Sequence, residues 1–159
     1  HLLNTSTDYV YIMTPYLILD DELVQSMTFA ARRGVDVRII MPGIPDKQYA
    51  FDIATTYFKV LLDAGVRIFR YTPGFIHAKV YVSDAKQAVV GTINTDYRSH
   101  YQNFEDGVYL YKNLEVLKIE EDFEKTQALS EEVTLESLSK IPMVHRLGGY
   151  LFSLIGPLM

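Results

Sequence analysis

The stretch "VRIFRYTPGFIHAKVYVSDAKQAVVGT", Val66 to Thr92, decides the fold, because the chain changes its way of connecting strands inside it. Upstream, apolar strands alternate with helices. "DYVYIMTPY" (Asp8 to Tyr16) is β-rich and stops at Pro15, which cannot donate to a ladder. "DDELVQSMTFAARRG" follows as a helix, with Asp20, Asp21 and Glu22 in its first turn, an apolar stripe at Leu23, Met27 and Ala30, and a stop at Gly34. "VDVRIIM" is the next strand, "PGIPDK" a loop, Gln48 to Ala64 a long apolar helix ending at Gly65, and "VRIFRY" a third strand. Strand–helix–strand alternation predicts parallel pairing with helices packed on the sheet. Downstream, "HAKVYVSD", "QAVVGT" and "GVYLY" are strands joined by short connections, "SDAKQ" reading as a hairpin turn, so this part is antiparallel. The expectation is an α/β domain with a mixed parallel and antiparallel sheet flanked by helices on both faces. Asn113 to Leu129 adds a charged helix and Leu135 to Lys140 a short one.

Bulk properties bound what such a domain can do. At 159 residues the chain fits one domain, and 48% hydrophobic with 22% charged residues is ordinary globular composition. Residues 1–140 read as that domain and 141–159, "IPMVHRLGGYLFSLIGPLM", as an apolar tail broken by Gly148, Gly149 and Pro157. The formal net charge of -5 argues against a nucleic-acid partner unless a local basic patch exists. With no cysteine there are neither disulfides nor thiolate metal sites. No apolar run reaches the roughly 18 residues that span a bilayer. The opening "HLLNTSTDY" lacks an initiator Met, so the chain reads as a fragment, soluble by itself, of a longer protein.

Chemistry concentrates between Gly74 and Ser99. Side chains alternate along a strand, so His77, Lys79 and Tyr81 share one side, with His77 and Lys79 about 7 Å apart. Thr92 and Asn94 repeat the i, i+2 relation beyond Gly91, at the end of the neighbouring strand. Pairing of the two strands would gather all four at one sheet edge, where the carboxyl ends of the parallel strands open a cleft. A phosphodiester suits that set. Lys79 supplies a compact charge, Thr92 and Asn94 supply donors for non-bridging oxygens, and a neutral His77 can attack phosphorus or move a proton. No carboxylate cluster or second histidine is placed to hold a divalent ion, so neither metal nor cofactor is expected. Each half of the pattern is weak alone. The joint spacing, His77-x-Lys79, then Asp84, then Gly91-Thr92-x-Asn94, is specific.

That composite resembles the HKD motif of the phospholipase D superfamily. "TPYLILDDEL", "RRGVDVRIIMPGIPDK" and "GTINTDYRSHYQNFE" extend the resemblance to the C-terminal half of bacterial cardiolipin synthases, over most of residues 9 to 112. The resemblance implies two such motifs facing each other, one histidine forming a phosphohistidine and the other serving the departing and incoming alcohols. His77 would be one of that pair, and which one attacks is not readable from this half. Lys79, Thr92 and Asn94 would bind phosphate, although family enzymes often carry Ser where Thr92 stands. Glu105, in "NFED", occupies the place of an acid that fixes the tautomer of a catalytic histidine. Asp84 is the motif's third letter, but its position in "SDAK" suggests a carboxylate capping that turn. Tyr16 and Phe75 are candidate cleft walls. The implied reaction joins two phosphatidylglycerols into cardiolipin and releases glycerol. It would use the missing N-terminal half or a second copy as partner, at a bacterial cell membrane reached by anchors outside this chain.

Two other readings fit the same residues: a homodimeric one-motif phosphodiesterase or nuclease, and a half of a two-motif enzyme that is inactive alone. The tail is expected to dock against the missing half or to be disordered. Its alternative is an interfacial helix with Leu147, Leu151, Phe152 and Ile155 turned to lipid.

Overall fold

The structure, a computed structural model, describes residues 1–153 of the chain. In order it runs α1 (Leu2–Thr5), β1 (Tyr9–Met13), β2 (Leu17–Ile18), α2 (Asp21–Arg32), β3 (Asp36–Pro42), α3 (Gln48–Asp63), β4 (Arg67–Tyr71), β5 (Val80–Ser83) and β6 (Gln87–Gly91). It continues with β7 (Thr95–Asp96), α4 (Tyr97–Tyr101), β8 (Gly107–Tyr111), α5 (Glu115–Ala128), β9 (Ser130–Glu132), α6 (Leu135–Ser139) and α7 (Met143–Ser153). Seven strands form one sheet in the order β8-β6-β5-β1-β3-β4-β9. β1, β3 and β4 are parallel; β5, β6, β8 and β9 pair antiparallel with their neighbours. The change of connection within Val66–Thr92 is thus a change of strand direction, as the sequence predicts.

Period-two alternation sorts the core. Val10, Ile12, Val37, Ile39 and Ile68 face a cluster with Met27 and Ala30 of α2 and Ala54, Phe58 and Leu61 of α3. Tyr11, Met13, Ile40, Phe69, Val80 and Val82 face the other side, with Val116 and Phe123 of α5. Helices therefore cover both faces. α2 starts where expected because the Asp20 carboxylate accepts from the Leu23 amide at 2.6 Å, and it stops at Gly34, whose φ of +93° a side chain would resist.

Several boundaries differ from the sequence reading. β1 ends at Met13, since Thr14 turns its hydroxyl onto the Tyr16 carbonyl at 2.8 Å. β5 starts at Val80, which leaves His77 and Lys79 in the extended approach to it. The strand pair β2–β7 and strand β9 escape a reading by alternation, being two and three residues long. The tail, expected to be disordered or to dock elsewhere, instead forms α7 over Met143–Ser153, which packs on α3 of the same domain. Residues 154–159, with Ile155, lie outside the described residues.

Candidate functional site

The site is assembled by register. β5 pairs antiparallel with β1, Val80 opposite Met13, so the residues before Val80 lie alongside the carboxyl end of β1. β6 pairs with β5, Val90 opposite Val80, and the Gly91 amide donates to the Lys79 carbonyl at 3.3 Å. The segment from Thr92 to Thr95 therefore leaves the sheet at the same edge. Gly91 is required there: a Cβ would stand 2.2 Å from the Asp106 carbonyl oxygen and 2.5 Å from Gly107 Cα. Beyond it, Thr95 donates its amide to Thr14 Oγ1 at 3.2 Å and its hydroxyl to the Tyr16 carbonyl at 2.7 Å, tying the loop to the end of β1.

His77 lies between two rings. Phe75 stacks on the imidazole at 5.6 Å between centroids, and Tyr16 meets it edge-on at 6.4 Å. Tyr16 is itself held, its hydroxyl donating to Asp46 at 2.7 Å while Lys47 lies over its ring. Burial, then the positive charge of Lys79, pushes the imidazole below its ordinary value, with Asp46 opposing. Both effects favour the neutral imidazole. Lys79 Nζ donates to the His77 carbonyl at 2.8 Å; burial lowers its pKa, and the charges of Glu105, Asp96 and Asp46 oppose that shift.

Thr92 and Asn94 share this edge but do not bond to His77 or Lys79 among the described residues. The connection runs through Glu105. Its carboxylate accepts from the Thr92 hydroxyl in a short bond and from Asn103 Nδ2 at 3.1 Å, and it interacts with the Lys79 charge. The Thr92 bond, against burial, holds the Glu105 carboxyl below its usual range, helped by Lys79. Within this chain Glu105 orients Thr92; an imidazole for it to orient, as the sequence reading expects, would have to come from the opposing half-site. Asn94 is half-buried, and its Oδ1 has no hydrogen-bond partner, a cost of roughly 1–3 kcal/mol that the Thr95 anchors oppose. Chemically the edge presents an imidazole, an ammonium, a hydroxyl and a carboxamide beside a carboxylate.

Asp84 stands at the other end of β5, roughly 17 Å along the strand from Lys79. It does not cap its own turn. Its carboxylate accepts from the amides of Thr7, Asp8 and Tyr9 at 2.9, 3.1 and 2.9 Å, clamping the hairpin to the entry of β1. That position gives it a structural role and no reach to the histidine. Asp46 was passed over in the sequence, because nothing in "PGIPDK" announces that its acid borders the imidazole across thirty-one positions.

Comparisons with known proteins agree with this geometry. The family described as cardiolipin synthase, PLD-like domain, matches residues 1–127. An uncharacterized protein of Streptococcus mutans serotype c is 52% identical over 158 residues, 99% of this chain and 34% of its own length. A cardiolipin synthase of Clostridium perfringens (strain SM101) is 39% identical over 158 residues, 99% of this chain and 33% of its own. The chain thus spans about a third of the length of the curated relatives it matches. Nuc from Salmonella typhimurium, a phospholipase D family member, shares the fold with a TM-score of 0.71 at 17% identity, over 83% of this chain and 86% of that one. With its mixed sheet, its two covering helix layers and a family match running through the site, this chain belongs to the cardiolipin synthase family of phospholipase D-like domains.

Proposed function

We propose that this chain supplies one of two half-sites for phosphatidyl transfer between two phosphatidylglycerol molecules, giving cardiolipin and glycerol. The observation that carries the reading is His77, held between Phe75 and Tyr16 with Lys79 Nζ bonded to its carbonyl, at the sheet edge shared with Thr92 and Asn94. In the first step a histidine nitrogen attacks phosphorus and the bond from phosphorus to the glycerol oxygen breaks. The departing oxygen takes a proton from the opposing histidine. That second histidine then accepts the proton of the incoming phosphatidylglycerol hydroxyl, whose oxygen displaces the first histidine from phosphorus. One phosphodiester is exchanged for another, so no nucleotide is consumed. His77 is one of these two histidines. Lys79, Thr92 and Asn94 neutralise and orient the non-bridging oxygens. A phosphate entering this site competes with Glu105 for the Thr92 proton.

The opposing half sits against the sheet edge beside the site. β8 is the edge strand, with Val108, Tyr109 and Tyr111 exposed, and Phe104 next to Glu105 is fully exposed at 108%. An exposed apolar edge strand is a surface that proteins normally cover. Closing that edge also keeps water from the phosphohistidine, which it would hydrolyse.

Solution mass together with turnover of a chromogenic phosphodiester tests the division of labour. The 159-residue chain alone is expected to be an inert monomer. A stable dimer with turnover would replace this reading with that of a self-complementing phosphodiesterase.

A further inference from the structure

α7 is amphipathic and turned inside out. Its inward face is small and polar. His145 Nδ1 lies 3.1 and 3.2 Å from the two Asp52 carboxylate oxygens, and Gly149 is buried so close that a Cβ would stand 2.2 Å from the Asp52 carbonyl oxygen. Phe152, one turn on, packs against Tyr49. The spacing 145, 149, 152 is one helical face, so the face opposite must point away from α3. That face carries Met143, Val144, Leu147 and Leu151, exposed by 82, 72, 69 and 66%. Because α7 docks backbone-to-backbone through Gly149, it cannot roll to bury them without breaking the contact.

Charge says what covers this face. In a chain of net charge -5, residues 141–159 contain Arg146 and no acidic residue; Lys140, just before them, is paired with Glu136 at 2.9 Å. The sequence beyond the described residues, "LIGPLM", continues apolar and uncharged. The acidic body repels an anionic surface while this one helix attracts it, which also orients the molecule. Position agrees. Phe152 meets α3 at Tyr49, in its first turn, and the loop just before that turn holds Asp46 beside His77.

We infer that α7 is a membrane-docking helix, laying Met143, Val144, Leu147 and Leu151 into the interface of an anionic phospholipid bilayer with Arg146 at headgroup level. This deepens the proposed lipid chemistry and rests on it for the choice of surface. The half-site thereby has its own lipid contact, separate from any anchor elsewhere. An interfacial helix of eleven residues lies about 16 Å along the surface and spans nothing. Among the described residues no helix is long and apolar enough to cross a membrane.

Co-sedimentation of the 159-residue chain with vesicles tests it, using equimolar phosphatidylglycerol and phosphatidylcholine against phosphatidylcholine alone. Binding is expected to favour the anionic vesicles at least tenfold. The double substitution Leu147→Glu, Leu151→Glu should lower it at least tenfold with unchanged circular dichroism and Tm, both side chains being exposed. His77→Ala should bind as the wild type, which separates this result from the fate of the transferase reading. Failure of the wild type to bind, equal binding to both vesicle types, or full binding by the double variant would overturn the inference. So would a concentration-dependent dimer without vesicle binding that the double variant makes monomeric, since the face would then meet another copy of the chain.

Discussion

Asp84 and His77, read from the sequence as parts of one pattern, are held in quite different ways. Asp84 is buried in the turn at the far end of β5. Burial alone would raise its pKa, but the amides of Tyr9, Thr7 and Asp8 outweigh it and hold the carboxyl below its ordinary value. Its stabilising contribution is therefore present above the unfolded value of about 3.9 and is lost as pH falls through the folded one. Asp84→Asn should cost about 2 kcal/mol in denaturant unfolding at pH 7, and progressively less as pH falls below the ordinary carboxylate value and through the lowered folded one. His77 is governed by charge as well as burial. In a proton NMR titration of this chain its midpoint should lie below 6.5. Lys79 disfavours the imidazolium, so Lys79→Met should move that midpoint upward; a midpoint that fell or stayed fixed would contradict the electrostatic account.

At the scale of elements, what could be read from the sequence follows from how local the signal is. β1, β3, β4, β6 and β8 and helices α2, α3 and α5 are long enough for apolar periodicity and stop signals to mark them within a few residues. β2 and β7 pair over two residues each, and only the bonds among Thr14, Tyr16 and Thr95 make them a unit. That His77 and Lys79 come close was visible in the spacing, since both lie in one segment; that Lys79 Nζ turns onto the His77 carbonyl was not. The routing of Thr92 through Glu105 was not, because it depends on how the bend after Gly91 meets the start of β8. Nor can periodicity tell which face of α7 docks: Gly149 decides that, by allowing a close approach that no side chain permits. The bend after Gly91 makes a prediction of its own. Gly91→Ala forces the Asp106–Gly107 backbone away, costing roughly 1–3 kcal/mol of stability. It should also disturb Glu105 and Thr92, so activity of the full-length parent enzyme should fall by more than the loss of folded protein, measured as rate per folded molecule.

At the scale of the whole molecule, two apolar surfaces stand exposed: the β8 edge with Phe104, and the outward face of α7. The proposed partner of the first is the opposing half-site, and that of the second an anionic bilayer. The same division explains the acidic balance: charge is spread over the body and absent from the tail, except for a cation. The most direct test of the proposed transfer chemistry is the rate of cardiolipin and glycerol formation from phosphatidylglycerol vesicles by this chain, assembled with the second half-site that the proposal requires and carrying His77→Ala. A rate reduced by about 10³-fold or more, with the protein folded as judged by Tm, is the predicted result, in keeping with removal of a group acting directly on the reacting atoms. Cardiolipin formation at near-normal rate by that variant would contradict the assignment of His77 and, with it, the half-site.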